Sequence, residues 1–174
     1  MPGAPAGPAC SPSAFDAGAD AVLVLSPPGV ADPRPYYDGV AKVAGDRPVL
    51  AYHFPRSSPP GIPVELLPDL PVAGVKDSSG DPERLLRELD TFGGDVYVGS
   101  AAMLAMAGVV GAAGAVLALA NVDPQACARA FAGDGAAQRA LLGSHLAAGR
   151  DFPAGLKALV AERFNVSRTV RLGR

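Results

Sequence analysis

Residues 72–80 read Val72-Ala-Gly-Val-Lys76-Asp-Ser-Ser-Gly80, a short apolar run that ends in a lysine and a polar loop closed by glycine. Apolar runs of this length, bounded by turn residues, are typical of strands that a parallel sheet buries on both faces. In parallel α/β folds the functional groups lie where the strands end. We therefore expect a strand at 72–75 that presents Lys76 at its functional end.

The same pattern recurs on both sides of this stretch. Further apolar runs predict strands at 21–25, 48–54, 95–98 and 114–119. Helical spacing, or an Asp-Pro pair that caps and opens a first turn, predicts helices at 36–45, 64–70 and 82–92, in the Ala/Met-rich segment after 98 and from 123 onward. The alternation of strands and helices, with extra helices at the end, predicts a parallel α/β fold.

Two architectures fit this alternation. Units of roughly 22 to 27 residues suit a (β/α) barrel, but an open flavodoxin-like sheet also has five parallel strands. The 174 residues fall short of the roughly 200 that a complete eight-stranded barrel needs. A flavodoxin-like phosphate site would need free N–H groups after the first strand, and Ser26-Pro27-Pro28 offers few of them.

Composition excludes several classes of function. The net charge is -2, aromatic residues make up 6% and Trp is absent, so we expect no nucleic acid partner. Cys10 and Cys127 form neither a disulfide framework nor a zinc-ligand spacing, which indicates no metal and a reducing, cytoplasmic location. The uncharged run at 101–122 contains three glycines, and we interpret it as a helix, a turn and a strand rather than a membrane span.

Lys76 is one of only three lysines, with Lys42 and Lys157. A lysine at the end of an apolar strand points into a partly desolvated pocket, and such pockets supply the neutral amine that a Schiff base needs. The alternative is an ordinary surface lysine that leads into a loop.

Four motifs in the same order resemble the dihydrodipicolinate synthase and N-acetylneuraminate lyase family of Schiff-base aldolases. They are Gly18-Ala-Asp-Ala-Val-Leu-Val-Leu-Ser-Pro27, Tyr52-His-Phe-Pro55, Gly74-Val-Lys-Asp-Ser-Ser-Gly80 and Gly114-Ala-Val-Leu-Ala-Leu-Ala-Asn-Val122. The resemblance covers about residues 15–172. It implies a lyase or aldolase with a (β/α)8 TIM barrel and a helical C-terminal extension, acting on pyruvate or a related 2-oxo acid without a cofactor, in a homo-oligomer.

The resemblance also implies roles for individual residues. Lys76 corresponds to the imine-forming lysine and Tyr52 to the tyrosine that shuttles protons. Val116 and Ser100 correspond to positions that line the pocket. Ser57 stands where dihydrodipicolinate synthases have an arginine for the second substrate's carboxylate, so we take it as a substrate-binding candidate.

The sequence departs from the family pattern in three places. His53 stands where the family usually has asparagine, and we interpret it as a hydrogen-bonded strand residue rather than an acid or base. The tyrosine pair of the synthases is replaced by Pro28-Gly29, with Tyr36-Tyr37 in the next helix. With no arginine at position 57 either, a related 2-oxo acid lyase fits better than a strict dihydrodipicolinate synthase.

The family's Gly-x-x-Gly-Glu loop with its Thr/Ser pair has no counterpart here. We therefore expect an irregular Pro/Ala-rich arm at 1–14, a partial barrel of about strands four to eight at 15–150, and a helical extension and tail at 151–174. Such a truncated chain would be weakly active or inactive alone. The alternatives left open are a non-catalytic remnant of the family and a flavodoxin-like binding domain.

Overall fold

The computed structural model describes residues 12–170. The strands are β1 Val22–Leu25, β2 Val49–His53, β3 Gly74–Asp77, β4 Asp95–Val98 and β5 Gly114–Ala115. The α-helices are α1 Pro12–Asp16, α2 Arg34–Ala44, α3 Pro82–Thr91, α4 Leu104–Val109, α5 Pro124–Phe131, α6 Gly135–Ala140, α7 Leu142–Arg150 and α8 Ala154–Phe164. Short 3₁₀ helices cover Val64–Asp69, Ala101–Met103 and Leu119–Asn121.

The strands form one sheet in the sequential order β1-β2-β3-β4-β5. Parallel register places Leu25 beside Tyr52 and Tyr52 beside Lys76, so these three residues form a row on one face. The predicted parallel α/β fold is confirmed. The flavodoxin-like alternative is wrong. In that fold β1 lies between β2 and β3, whereas here β2 lies between β1 and β3.

The described residues divide into two compact units, one ending at Tyr97 and the other beginning at Val98. In the first unit, α2 packs on β2 and α3 packs on the 3₁₀ helix. Tyr37 of α2 is fully buried, and its hydroxyl donates to the carbonyl oxygen of Val24 at 2.9 Å. In the second unit, α5 packs on α4 and α6, and α7 pairs with α8.

The predicted helix starts at the two Asp-Pro pairs are confirmed. The Asp81 carboxylate accepts from the backbone N–H groups of Glu83 and Arg84 at 2.9 and 3.3 Å, and Asp123 accepts from that of Ala126 at 3.0 Å. Each carboxylate satisfies N–H groups that a helix leaves without a partner in its first turn. Capping therefore fixes where α3 and α5 begin.

Three strand predictions need correction. β3 runs from Gly74 to Asp77, so Lys76 lies inside the strand rather than after it. β5 holds only two of the six predicted residues, because β4 ends at Val98 and the last backbone bond to it comes from Val116. β1 is not buried on both faces: it is an edge strand, and Leu23 and Leu25 are 39% and 37% exposed.

The remaining segments follow the sequence more loosely. Pro68 lies inside the predicted helix at 64–70, which forms a 3₁₀ helix instead. The uncharged run at 101–122 forms helical turns to Val109 and then β5, and none of the helices within 12–170 is both long and apolar enough to cross a bilayer. The predicted arm at 1–14 lies outside the described residues except where α1 begins.

Candidate active site at the ends of β2 and β3

Lys76 and Tyr52 lie together on one face of the β2–β3 pair, which we call the open face. The Lys76 amine (Nζ) lies 4.0 Å from the centroid of the Tyr52 ring. The ring of Phe54 also stacks on the phenol, at a centroid distance of 5.8 Å. Both Lys76 and Tyr52 are half-buried, so the amine is held against an aromatic surface while the face remains accessible. The pair that the sequence singles out is brought into contact.

Ser78 extends this arrangement. Its hydroxyl oxygen lies 3.4 Å from that of Tyr52, which is the long end of a hydrogen bond. Its backbone N–H donates to the carbonyl oxygen of His53 at 2.9 Å and so ties the loop after β3 to β2. The sequence motifs assign Ser78 no role of its own. Its position two residues after Lys76, and therefore on the same side of an extended chain, is the signal that indicates it.

Ser57 lies in the turn after β2 and is exposed. Its backbone N–H donates to Phe54 at 3.0 Å, and no hydrogen bond of its hydroxyl is present among the described residues. The next residue, Ser58, is buried, and its hydroxyl donates to the carbonyl oxygen of Ser26 at the end of β1. The structure thus brings Ser58, rather than Ser57, into the packed part of this turn.

His53 points to the opposite side of β2, which we call the reverse face. Its Nδ1 accepts from the backbone N–H of Ile62 at 2.8 Å, so the neutral ring carries its proton on Nε2. Burial, assisted by the charge of Arg84, lowers the pKa of His53 to about 4. A neutral, buried, hydrogen-bonded imidazole confirms the structural interpretation.

Asp77, Arg84 and Glu88 join His53 in what we call the reverse-face cluster. Arg84 Nε lies 3.8 Å from Asp77 Oδ1, and Arg84 Nη2 lies 2.8 Å from Glu88 Oε1. Asp77 and Glu88 are 3% and 0% exposed. Burial raises the pKa of Asp77, although its bonds from Ser79 oppose this, and burial together with Asp77 raises the pKa of Glu88 to about 8.

Sequence reasoning missed this cluster. Asp77 directly follows Lys76 in a strand, where neighbouring side chains point to opposite faces, so its place on the reverse face could be inferred. Glu88 lies three residues after the buried Leu85 and therefore shares the inward side of α3. This spacing is the one signal for its burial, and it does not show that Glu88 meets Arg84 and Asp77.

Ser100 and Val116 belong to the second unit. Ser100 follows β4 and is half-buried. Val116 follows β5, donates its backbone N–H to the carbonyl oxygen of Val98 at 3.0 Å and is 40% exposed. Their proposed places in a pocket stay predictions.

Comparison with known proteins identifies the lineage of this strand-end arrangement. A model of the dihydrodipicolinate synthetase family matches residues 9–145. The chain belongs to this family. A DapA-like lyase of Chloroflexus aurantiacus is 31% identical over 77% of the chain and 51% of the relative. A 4-hydroxy-tetrahydrodipicolinate synthase of Jannaschia sp. is 32% identical over 71% of the chain and 45% of the relative.

Solved structures of the family share the fold. The dihydrodipicolinate synthase of Acinetobacter baumannii, complexed with pyruvate, aligns with a TM-score of 0.77 at 24% identity and covers 92% of this chain and 61% of that structure. The chain spans about half the length of the curated relatives that it matches. The resemblance stated from the sequence is therefore confirmed at the level of family and fold.

Proposed function

We propose that the chain carries the Schiff-base chemistry of a 2-oxo acid lyase or aldolase, with Lys76 as the nucleophile. The single observation that carries this proposal is the contact of the Lys76 amine with the Tyr52 ring on the open face. It places an amine beside a phenol at adjacent strand ends, where α/β enzymes hold their reacting groups. Two solved structures of the family, from A. baumannii and E. coli, are complexes with pyruvate, which supports pyruvate as the substrate class.

The chemistry requires one covalent intermediate. The lone pair of neutral Lys76 attacks the C2 carbonyl of the 2-oxo acid, a C–N bond forms, and the carbonyl oxygen leaves as water to give the imine. Loss of a proton from C3 gives an enamine, which adds to an aldehyde, and the reverse sequence cleaves the C–C bond. Hydrolysis of the imine returns the amine and releases the 2-oxo acid.

In this scheme Tyr52 moves the protons. A phenol that both gives and accepts a proton serves the loss of water from C2 and the proton transfers of the later steps. The Ser78 hydroxyl, 3.4 Å from that of Tyr52, orients it. Ser57, Ser100 and Val116 are the proposed contacts for the rest of the substrate, and no cofactor or metal takes part.

We further propose that the sheet corresponds to strands four to eight of a (β/α)8 barrel, with the last helices as the extension, and that the 174 residues alone are weakly active. The exposed leucines of β1 lie on the same face as Lys76, where a closed barrel would cover them. The 174 residues also contain no Gly-x-x-Gly-Glu loop to hold a carboxylate. A cytoplasmic homo-oligomer is the proposed working form.

The same two features favour a second candidate, a non-catalytic member that keeps the lysine but does not hold substrate. An exchange experiment separates the two. Formation of an imine and enamine exchanges the methyl protons of pyruvate for deuterium in D₂O, and proton NMR follows the loss of the methyl signal. We expect the chain to exchange these protons faster than buffer, Lys76→Arg to abolish the effect and Lys42→Arg to retain it. A wild-type chain no faster than buffer would favour the non-catalytic candidate.

A further inference from the structure

The reverse-face cluster contains one cation. His53 is neutral near pH 7, because its pKa is lowered to about 4, so Arg84 alone faces the carboxyl groups of Asp77 and Glu88. Among the described residues, Arg84 Nε and Nη2 and both carboxylate oxygens of Glu88 are buried without an aligned hydrogen bond. Because its pKa is raised to about 8, Glu88 keeps a proton near pH 7, and its 2.8 Å contact with Arg84 has poor hydrogen-bond geometry. The charge of Arg84 therefore acts mainly on Asp77, and the described residues supply no complete hydrogen-bond network to hold these groups.

We propose that Arg84 is a positioning residue for the Lys76 amine, acting through the buried carboxylate of Asp77. This inference rests on the proposed function, since it assigns Arg84 to the same reaction. Lys76 and Asp77 are consecutive residues of β3, so a shift of the backbone at Asp77 also moves the side chain of Lys76. Arg84 touches neither the amine nor the open face and acts only from behind the strand.

Asp77 has neighbours on three sides, and the Nε2 of His53 on β2 lies 4.0 Å from its Oδ1. From the loop, the backbone N–H and the hydroxyl of Ser79 donate to its two oxygens at 2.7 and 2.8 Å. From α3, the Arg84 guanidinium lies 3.8 Å from Oδ1. The Asp81 cap fixes the start of α3 and with it the position of Arg84. The strand end that carries Lys76 is thereby clamped to the helix that follows it.

Removal of the guanidinium leaves two buried carboxyl groups without a cation. A buried charge that loses its partner is strongly unfavourable, so Asp77 must either take up a proton or move toward water. Both responses loosen the attachment of β3 to α3. The amine of Lys76 would then lose its fixed place over the Tyr52 ring.

Reductive methylation with formaldehyde and cyanoborohydride measures this directly, because the chain has only three lysines and peptide mass analysis resolves them. Lys42 is exposed and serves as the internal reference. In the wild-type chain we expect the half-buried Lys76 to react more slowly than Lys42. In Arg84→Met the ratio of the Lys76 rate to the Lys42 rate should rise about threefold or more, and Arg84→Lys should restore it because it keeps the charge.

Arg87→Met is the matched control. Arg87 lies on the same helix, its side chain is 52% exposed and it pairs with Glu65, so its loss should leave the ratio unchanged. Circular dichroism must first show that each variant is folded. If Arg84→Met does not fold, the double variant Arg84→Met/Glu88→Leu removes one carboxyl together with the cation and takes its place. A folded variant without the guanidinium that keeps the wild-type ratio would overturn the proposal.

Pyruvate separates this proposal from the proposed function. With borohydride and increasing pyruvate, the maximal rate of adduct formation at Lys76 should fall about tenfold or more in Arg84→Met, with the half-saturating concentration unchanged. Loss of folded protein alone would lower the yield and not the rate constant. A wild-type chain that forms no adduct contradicts the proposed function, while the methylation ratio still decides the role of Arg84.

Discussion

The two faces of the β2–β3 pair are built on different principles. On the open face, Lys76 and Tyr52 are half-buried and in contact, and the neighbouring leucines of β1 are partly exposed. On the reverse face, His53 and Asp77 are buried beneath α3 and the loop around Ile62. Because side chains alternate along a strand, each residue of the first pair is the direct neighbour of a residue of the second. Reactive groups can therefore stay accessible while their backbone is fixed from behind.

This comparison predicts that substitutions on the two faces have different consequences. A change on the open face should remove chemistry and leave stability nearly intact, whereas a change on the reverse face should lower stability first. Five substitutions test this, beginning with the strongest, and Gly45→Ala follows Gly61→Ala as its matched comparison.

Tyr52→Phe keeps the ring and removes the hydroxyl. We expect the exchange of pyruvate methyl protons to slow by roughly 10²–10⁴, because the phenol relays the protons of the reaction. The free energy of unfolding should change by no more than about 1 kcal/mol, since at most one long hydrogen bond is lost. Tyr97→Phe, which removes a hydroxyl bonded to Asp95, is the control and should keep full activity. A fully active Tyr52→Phe variant would return Tyr52 to a packing role.

Gly61→Ala introduces a steric clash on the reverse face. Gly61 has a φ of +80°, and a Cβ there would lie 2.5 and 2.6 Å from Cε1 and Nδ1 of His53. We expect a loss of about 3 kcal/mol in the free energy of unfolding, from backbone strain and displacement of the imidazole that accepts from Ile62. Urea unfolding measures it.

Gly45→Ala isolates the contribution of the backbone. Gly45 also has a positive φ, +63°, but an added Cβ meets nothing within 4 Å. Gly45→Ala should therefore lower the free energy of unfolding by about 1 kcal/mol, which is the cost of the backbone strain alone. If Gly61→Ala and Gly45→Ala lower the free energy of unfolding by the same amount, displacement of the His53 ring makes no contribution.

Glu88→Gln tests the buried acid through pH. Between pH 6.5 and 8 the folded chain keeps a proton on Glu88 that the unfolded chain has lost, so stability falls as pH rises, by about 2 kcal/mol in all. Below pH 6.5 the depressed pKa of His53 acts in the opposite sense, because the unfolded chain then binds the extra proton. The two slopes oppose each other from about pH 4.5 to 6.5, and the raised pKa of Asp77 adds a decline that starts above pH 3.8.

Urea unfolding at a series of pH values checks this dependence. The wild-type chain should lose stability between pH 6.5 and 8 and level off about one pH unit above the Glu88 pKa of about 8, where both states have lost the proton from Glu88. Glu88→Gln carries no titrating group and should remove this decline. A variant that declines as steeply as the wild type over the same interval would show that Glu88 is ionised in the folded chain.

Ser78→Ala has the smallest expected effect. Its hydroxyl contact with Tyr52 is long, so we expect exchange of pyruvate protons to fall by about threefold or less and stability to change by less than about 1 kcal/mol. A hundredfold loss of exchange would instead give Ser78 a direct part in proton transfer.

Sequence reasoning succeeded where local signals were strong. The apolar run at 48–54 and the Asp81-Pro82 cap predicted β2 and α3 nearly to the residue. The strand ends and the family motifs together indicated Lys76 and Tyr52. An apolar run does not specify how many of its residues pair with a neighbouring strand, and for this reason the predicted β5 is too long. Burial of β1 on both faces, which its apolar run alone suggests, is not found, because burial depends on what covers a strand.

The reverse-face cluster lay beyond sequence reasoning for a different reason. Glu88 and Arg84 form an i, i+4 pair, a pattern that usually marks a solvated helix surface. Only the tertiary structure shows that this pair is buried and that Arg84 lies against Asp77 of β3. The contact of this pair with Asp77 depends on tertiary structure, and local sequence propensity does not predict it.

Residue-resolved trapping of the imine shows directly which lysine reacts with pyruvate. The wild-type chain is incubated with pyruvate, reduced with borohydride and digested, and the three lysine-containing peptides are compared by mass. We expect a reduced pyruvate adduct on Lys76, with Lys42 and Lys157 unmodified at the same pyruvate concentration. An adduct on Lys42 or Lys157 in place of Lys76, or equal modification of all three, would contradict the assignment of the open face as the reactive one.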